Sequence, residues 1–225
     1  MKNPSFLTDE LWFPKIDSET DDLVAIGGDL SVNRLLLAYR SGIFPWFNPE
    51  SEFLWWSPQE RCVFYPKELK VSKSMRPYLN GKYQVTFNQK FEDIVKACSE
   101  VERPNQDGTW ITEEIIEAYC RLHGEGYAHS VEVWEGEALV GGLYGVCIGK
   151  VFFGESMFSK KKNASKTGLI ALSKRIVELG VGLIDCQMVT EHLISLGAVA
   201  IERKQFLELI DAYIKEPITL LKLND

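Results

Sequence analysis

Four prolines decide what the first part of this chain cannot be. The stretch GIFPWFNPESEFLWWSPQERCVFYP, residues 42–66, holds Pro45, Pro49, Pro58 and Pro66. Proline fixes φ and lacks an amide hydrogen, so no long helix crosses this region. What remains is turns and short strands, expected over 53–56 and 62–65. Trp46, Trp55 and Trp56 crowd beside those turns, as Trp110 does further on. Aromatics so placed either line a pocket for an apolar group or a base, or pack two lobes together. A domain boundary is expected near residue 60, giving domains over 1–60 and 61–225.

Beyond that boundary the pattern alternates. Strands are expected over 82–87, 129–134, 137–146, 150–158, 183–188 and 199–202. Helices are expected over 91–98, 112–124, 165–179, 191–196 and 204–214. Asn88 is a candidate cap for the first of these, and Thr112 for the second. Glu135-Gly136 reads as a hairpin turn, and 103–108 as a polar loop. Upstream, residues 1–30 read as irregular, and Ser31 caps a short helix over 32–41. The result is a mixed α/β arrangement with a run of hairpins followed by a parallel crossover.

Composition sets the limits. The 225 residues are 45% hydrophobic and 25% charged, which supplies a core and argues against disorder. No apolar run spans a bilayer, and the N-terminus has no apolar signal core, so neither a membrane nor export is expected. Five widely spaced cysteines without C-x-x-C fit a reducing cytoplasm rather than a disulfide framework or a zinc site. Three histidines leave little material for a metal centre.

The net charge of −7 at first argues against nucleic acid. Its distribution does not, because residues 1–30 hold seven acids against two lysines and so carry most of the net charge. Residues 60–82 carry Arg61, Lys67, Lys70, Lys73, Arg76 and Lys82 against Glu60 and Glu68. Residues 150–175 carry Lys150, Lys160, Lys161, Lys162, Lys166, Lys174 and Arg175 against Glu155. Such patches either bind phosphate or are solvated faces.

Two places suggest chemistry. In FFGESMFS, alternation puts Phe153, Glu155 and Met157 on one strand face and Phe152, Ser156 and Phe158 on the other, unless a bulge at Gly154 intervenes. Glu155 is either an anionic receptor for a cationic group or an edge-strand acid facing water. In LIDCQ, Asp185 and Gln187 share a face and form either a relay that deprotonates a nucleophile or a structural polar pair. Cys186 points away and reads as a core residue, and His192 reads as packing at least as readily as catalysis.

The motifs GGDLS, GIFPWF, WWSP, GTWIT, GGLYGV, GESMFS, NASK, DCQ and SLGA occur together in order across almost the whole chain. In this order they closely resemble the leucyl/phenylalanyl-tRNA–protein transferases. The resemblance implies a small N-terminal domain and a GNAT-like acyltransferase domain with a mixed, mostly antiparallel sheet. It implies transfer of Leu or Phe from Leu-tRNA or Phe-tRNA to the α-amino group of proteins beginning with Arg or Lys. Asp185 and Gln187 would form the relay, and Glu155 would recognise the substrate or orient its amine. Trp46, Trp110, Phe152 and Met157 would line the pocket for the aminoacyl side chain and terminal adenosine. Leu143 stands where some relatives carry methionine, an apolar swap of similar volume. Lys160, Lys161, Lys162 and Lys166 would meet the tRNA backbone. An aminoacyl ester is already activated, so no ATP, CoA or metal is required.

Two rivals stand beside this reading. A CoA-dependent GNAT acetyltransferase needs a glycine-rich pyrophosphate loop before the long helix, where this chain has KKKNASK. A noncatalytic N-degron reader would use Glu155 as an acidic receptor alone.

Overall fold

The computed structural model of the protein describes residues 4–101 and 109–215. The loop expected over 103–108 lies outside them. Residues 1–30 depart from expectation, because they contain β1 (Ser5–Leu7) and β2 (Leu23–Gly27). The run LVAIG is short and apolar, and the acids around it mask it in a windowed reading. Helix α1 (Val32–Arg40) follows, with Ser31 as its N-cap accepting the Arg34 amide. Strands β3 (Phe44–Pro45) and β4 (Leu54–Trp56) complete a four-stranded sheet in the order β1-β2-β4-β3.

The large sheet is built from β5 (Glu60–Phe64), β6 (Gln84–Phe87), β7 (Ala128–Glu135), β8 (Ala138–Ile148), β9 (Val151–Ser159), β10 (Leu183–Asp185) and β11 (Val199–Glu202). Its order is β11-β5-β10-β9-β8-β7-β6. Only β9 and β10 run parallel; the other neighbours are antiparallel. The crossover between those two is α4 (Ala164–Glu178), the longest helix among the described residues. It covers one face with Leu169, Leu172 and Ile176. The opposite face is covered by α2 (Phe91–Ser99) and α3 (Glu113–Gly124), which bring Ile94, Ile115 and Tyr119. Strand β8 is therefore buried along almost its whole length, the expected state of a strand covered on both faces. Short α5 (Glu191–Leu196) and final α6 (Arg203–Ile214) close the chain.

Thr112 caps α3 through the Ile115 amide, as expected. Asn88 does not cap α2, whose N-cap is Lys90. Asn88 instead sits at φ 55°, where its Oδ1 accepts the Ser130 amide and its Nδ2 meets His129 Nδ1. Its role is to lock the end of β6 to β7.

Three buried guanidiniums fasten the N-terminal region. Arg34 donates to Asp29 and to the Thr8 and Glu10 carbonyls. Arg203 donates to the carbonyls of Ser57, Asp17 and Thr20. Arg61 joins the loop after α1 to β10. The buried cluster around Leu35, Tyr39 and Trp55 is continuous with that of α3 and β8, so both sheets share one core.

Candidate active site

Parallel pairing of β9 and β10 ends at Phe153 and Asp185. Past that point β9 gains a residue. Tyr144 faces Ser156 and Gly145 faces Gly154, leaving Glu155 as the extra one. The bulge overturns simple alternation, because it places Phe152 and Met157 in one buried cluster and Phe153 and Phe158 in the other. It also turns Glu155 into the gap between the strands. On the other side of the gap Gln187 sits at φ 55°, a left-handed conformation unusual for a side chain of its size. Its backbone is held there, since its N–H donates to Asp185 Oδ1 at 3.0 Å and its carbonyl accepts the Cys62 amide at 3.2 Å.

A cavity of about 410 Å³ opens at this gap. That volume suits a ligand of small-molecule size. Its deep wall is apolar, from Phe64, Leu143, Phe152, Met157, Leu169 and Leu172. Trp46 and Trp110 belong to the same lining; Trp110 is buried and Trp46 is 38% exposed. The polar end carries Glu155 and Gln187, with Gln187 Nε2 donating to Glu155 Oε1 at 3.3 Å. Every aromatic and apolar residue named from the sequence for the pocket is therefore in one place.

Glu155 is not an edge acid facing water. Tyr39 Oη donates to its Oε1 at 2.8 Å and Tyr119 Oη to its Oε2 at 3.0 Å. The two phenols, both fully buried, also bond to each other. Burial pushes the Glu155 carboxyl up to about 7, against the pull of the two phenols and of Arg61. Desolvation and the neighbouring carboxylate push both phenols well above their ordinary range.

Asp185 is different. It is fully buried beneath the gap and is absent from the cavity lining. Both of its oxygens face Arg61, with Nε to Oδ1 at 2.8 Å and Nη2 to Oδ2 at 2.7 Å. Arg61 also donates to the Gly42 carbonyl and lies over the rings of Phe44 and Phe206. The sequence places Arg61 in a basic stretch expected either to bind phosphate or to face solvent. It is fully buried and unavailable to phosphate. A charge inside the strand ERCVF was the signal for a buried partner.

The lysines sit apart from the cavity. Lys160, Lys161 and Lys162 are exposed in the turn between β9 and α4, and Lys161 pairs with Glu135. Lys166, in the first turn of α4, shares a second, smaller pocket with Lys70, Ser72 and Ser195. Leu169 lines both pockets. The two basic stretches seen in the sequence thus meet beside the cavity. Cys186 and His192 also line the main cavity, where sequence alone placed neither. Among the described residues, no cluster of His, Cys, Asp and Glu is arranged to hold a metal ion. Nor is any helix among them long and apolar enough to cross a membrane.

The family model described as leucyl/phenylalanyl-tRNA protein transferase matches residues 63–211, and that of its N-terminal domain matches 28–59. The chain belongs to this family. A leucyl/phenylalanyl-tRNA–protein transferase of Christiangramia forsetii is 54% identical over 91% of this chain and 99% of its own. Those of Flavobacterium johnsoniae and Syntrophobacter fumaroxidans are 50% and 51% identical, over 91% and 94% of this chain and 98% and 92% of their own. Among solved structures, a GCN5-related N-acetyltransferase from Kribbella flavida is 9% identical with a TM-score of 0.40, covering 73% of this chain and 60% of its own. In this family member the cavity draws on both matched segments. Phe44 and Trp46 come from the N-terminal one, and Glu155 and Gln187 from the other.

Proposed function

We propose that this chain transfers Leu or Phe from Leu-tRNA or Phe-tRNA to the α-amino group of proteins that begin with Arg or Lys. The observation that carries this reading is a cavity with an apolar interior and a carboxyl–amide pair at its polar end. The aminoacyl side chain occupies the apolar part, among Leu143, Phe152, Met157 and Trp110. Trp46, at the rim, stacks on the terminal adenosine. The ester carbonyl then lies toward Glu155 and Gln187, where the acceptor amine approaches.

The amine nitrogen attacks the ester carbonyl, the C–N bond forms and the bond to the ribose oxygen breaks. Holding both partners in one cleft removes much of the entropic barrier. The ester is already activated, so the chemistry draws on no further cofactor. Gln187 and Glu155 orient the amine, and the acidic carboxyl favours a cationic N-terminus. Asp185 acts through Gln187, whose amide it holds. Lys160, Lys161, Lys162 and Lys166 meet the acceptor-stem backbone, with Lys70 opposite. The five free cysteines are consistent with a cytoplasmic setting.

The test is incubation with labelled Leu-tRNA and a peptide beginning with Arg, alongside one beginning with Ala. Labelled Arg-peptide with little labelled Ala-peptide is the expected result. Equal labelling removes the Arg/Lys assignment, and no labelling removes the transfer.

A further inference from the structure

The oxygens of Tyr39, Tyr119 and Glu155 close a triangle of three contacts: phenol to carboxyl, phenol to carboxyl, and phenol to phenol. With the carboxyl ionised, the two phenols carry only two protons between them. One contact of the three then brings two oxygens together with no hydrogen between them. With one more proton the ring closes. The carboxyl O–H donates to Tyr119, Tyr119 to Tyr39, and Tyr39 back to the second carboxyl oxygen, which also accepts from Gln187 Nε2. The cluster is one proton short when Glu155 is charged.

We infer that Glu155, held in this ring by Tyr39 and Tyr119, takes the proton from the attacking amine, and that Asp185 only positions Gln187. This rests on the transfer reaction proposed above. Asp185 is badly placed for proton transfer, since it lies outside the cavity wall and Arg61 occupies both its oxygens. Glu155 lies in the wall itself. The neutral amine attacks the ester carbonyl carbon, and a proton passes from the nitrogen to the Glu155 carboxylate, which completes the ring. As the carbon–oxygen bond breaks, that proton passes to the departing ribose oxygen and restores the carboxylate. The amide and the free hydroxyl are the products, and nothing else is consumed.

Among the described residues, the titratable and charged groups around Glu155 are few. They are Tyr39 on α1, Tyr119 on α3 with Tyr144 behind it, the Arg61–Asp185 pair below, and Cys186 and His192 in the cavity wall.

The experiment measures single-turnover transfer from Leu-tRNA to an Arg-initiated peptide between pH 5.5 and 9. The wild-type rate should rise through an inflection near 7, where Glu155 ionises. A second inflection, set by the acceptor's own amine, lies about one unit higher. Glu155→Gln should lower the rate about 10²-fold or more and keep only the second inflection. Tyr39→Phe and Tyr119→Phe each remove a hydrogen bond that favours the carboxylate, so the first inflection should move upward. A purely structural role would lower the rate at every pH without moving it. Asp185→Asn should slow the reaction and keep the first inflection, moved downward, because it removes a negative charge that raises the Glu155 carboxyl and leaves Arg61 unopposed. The inference is overturned if Glu155→Gln retains the first inflection, or if Asp185→Asn abolishes it. Infrared titration of the Glu155 carboxyl in the free enzyme, with Glu155→Gln as the blank, reads the same ionisation without any transfer. No transfer by the wild-type enzyme overturns the reaction reading. Normal transfer by Glu155→Gln overturns this inference alone.

Discussion

Glu155 carries opposite consequences for stability and for function. Its folded-state value of about 7 lies above the ordinary 4.5, so the native state binds more protons than the unfolded state between those limits. This contribution to stability is therefore complete below about pH 4.5 and is lost as pH rises through 7, by about 3 kcal/mol in all. Glu155→Gln removes that charge. Urea denaturation at pH 8 should find the variant more stable than wild type, and at pH 4.5 the difference should vanish. His129 runs the other way. It is buried, and desolvation lowers its value from 6.5 to about 4, so the unfolded chain takes up a proton that the native one refuses. Native stability should drop by about 3 kcal/mol as pH falls from 6.5 to 4, and His129→Gln should flatten that slope. The Arg61–Asp185 pair adds a third case. Asp185→Asn leaves a guanidinium uncompensated in the interior, which costs about 3–5 kcal/mol and should appear as a lower denaturation midpoint. Its effect on rate must therefore be measured where the variant is still folded.

At the scale of elements, the site depends on two local irregularities, the extra residue in β9 and the left-handed turn at Gln187. Neither was legible as such. The sequence FFGESMFS allows a bulge because it contains glycine, but alternation alone assigned Phe152 and Met157 to opposite faces. The strand expected over 183–188 ends at Asp185, because Gln187 leaves the extended region to reach the gap. The elements themselves were plain. Apolar periodicity marked α4, Thr112 and Ser31 marked their helix starts, and the hairpin run of β7 and β8 followed from its turn. Tyr39 and Tyr119 escaped notice because each looks like ordinary core on an amphipathic helix; only the tertiary fold brings them to one carboxyl. Two substitutions test these irregularities. A Cβ at Gly145 would lie 2.2 Å from the Phe153 carbonyl and 2.5 Å from the Phe152 ring. Gly145→Ala should cost about 1–3 kcal/mol and disturb the pocket wall, read as a lower melting temperature and weaker use of Leu-tRNA. Gln187→Asn accepts the left-handed backbone readily but is too short to reach Glu155. It should melt near the wild-type temperature and still transfer poorly.

For the whole molecule, the question is how an acidic chain engages an anion as large as tRNA. Residues 1–30, with seven acids against two lysines, account for most of the net charge, while Lys70 and Lys166 meet beside the cavity and Lys160–162 project from the adjoining turn. Clustering of this kind permits local attraction under a net charge of −7. Changing Lys160, Lys161 and Lys162 to Gln should raise the Michaelis constant for Leu-tRNA and flatten its salt dependence. Reaction with a short aminoacyl-adenosine analogue should barely change. Because Lys161 pairs with Glu135, its share of the salt slope should be the smallest of the three. The most direct test of the account is a structure of the protein bound to a non-hydrolysable leucyl-adenosine amide. Its leucyl side chain should lie among Leu143, Phe152, Met157 and Trp110, with the carbonyl within hydrogen-bond reach of the Glu155–Gln187 pair. An analogue seated instead in the Lys70–Lys166 pocket, or with its carbonyl turned away from Glu155, would contradict it.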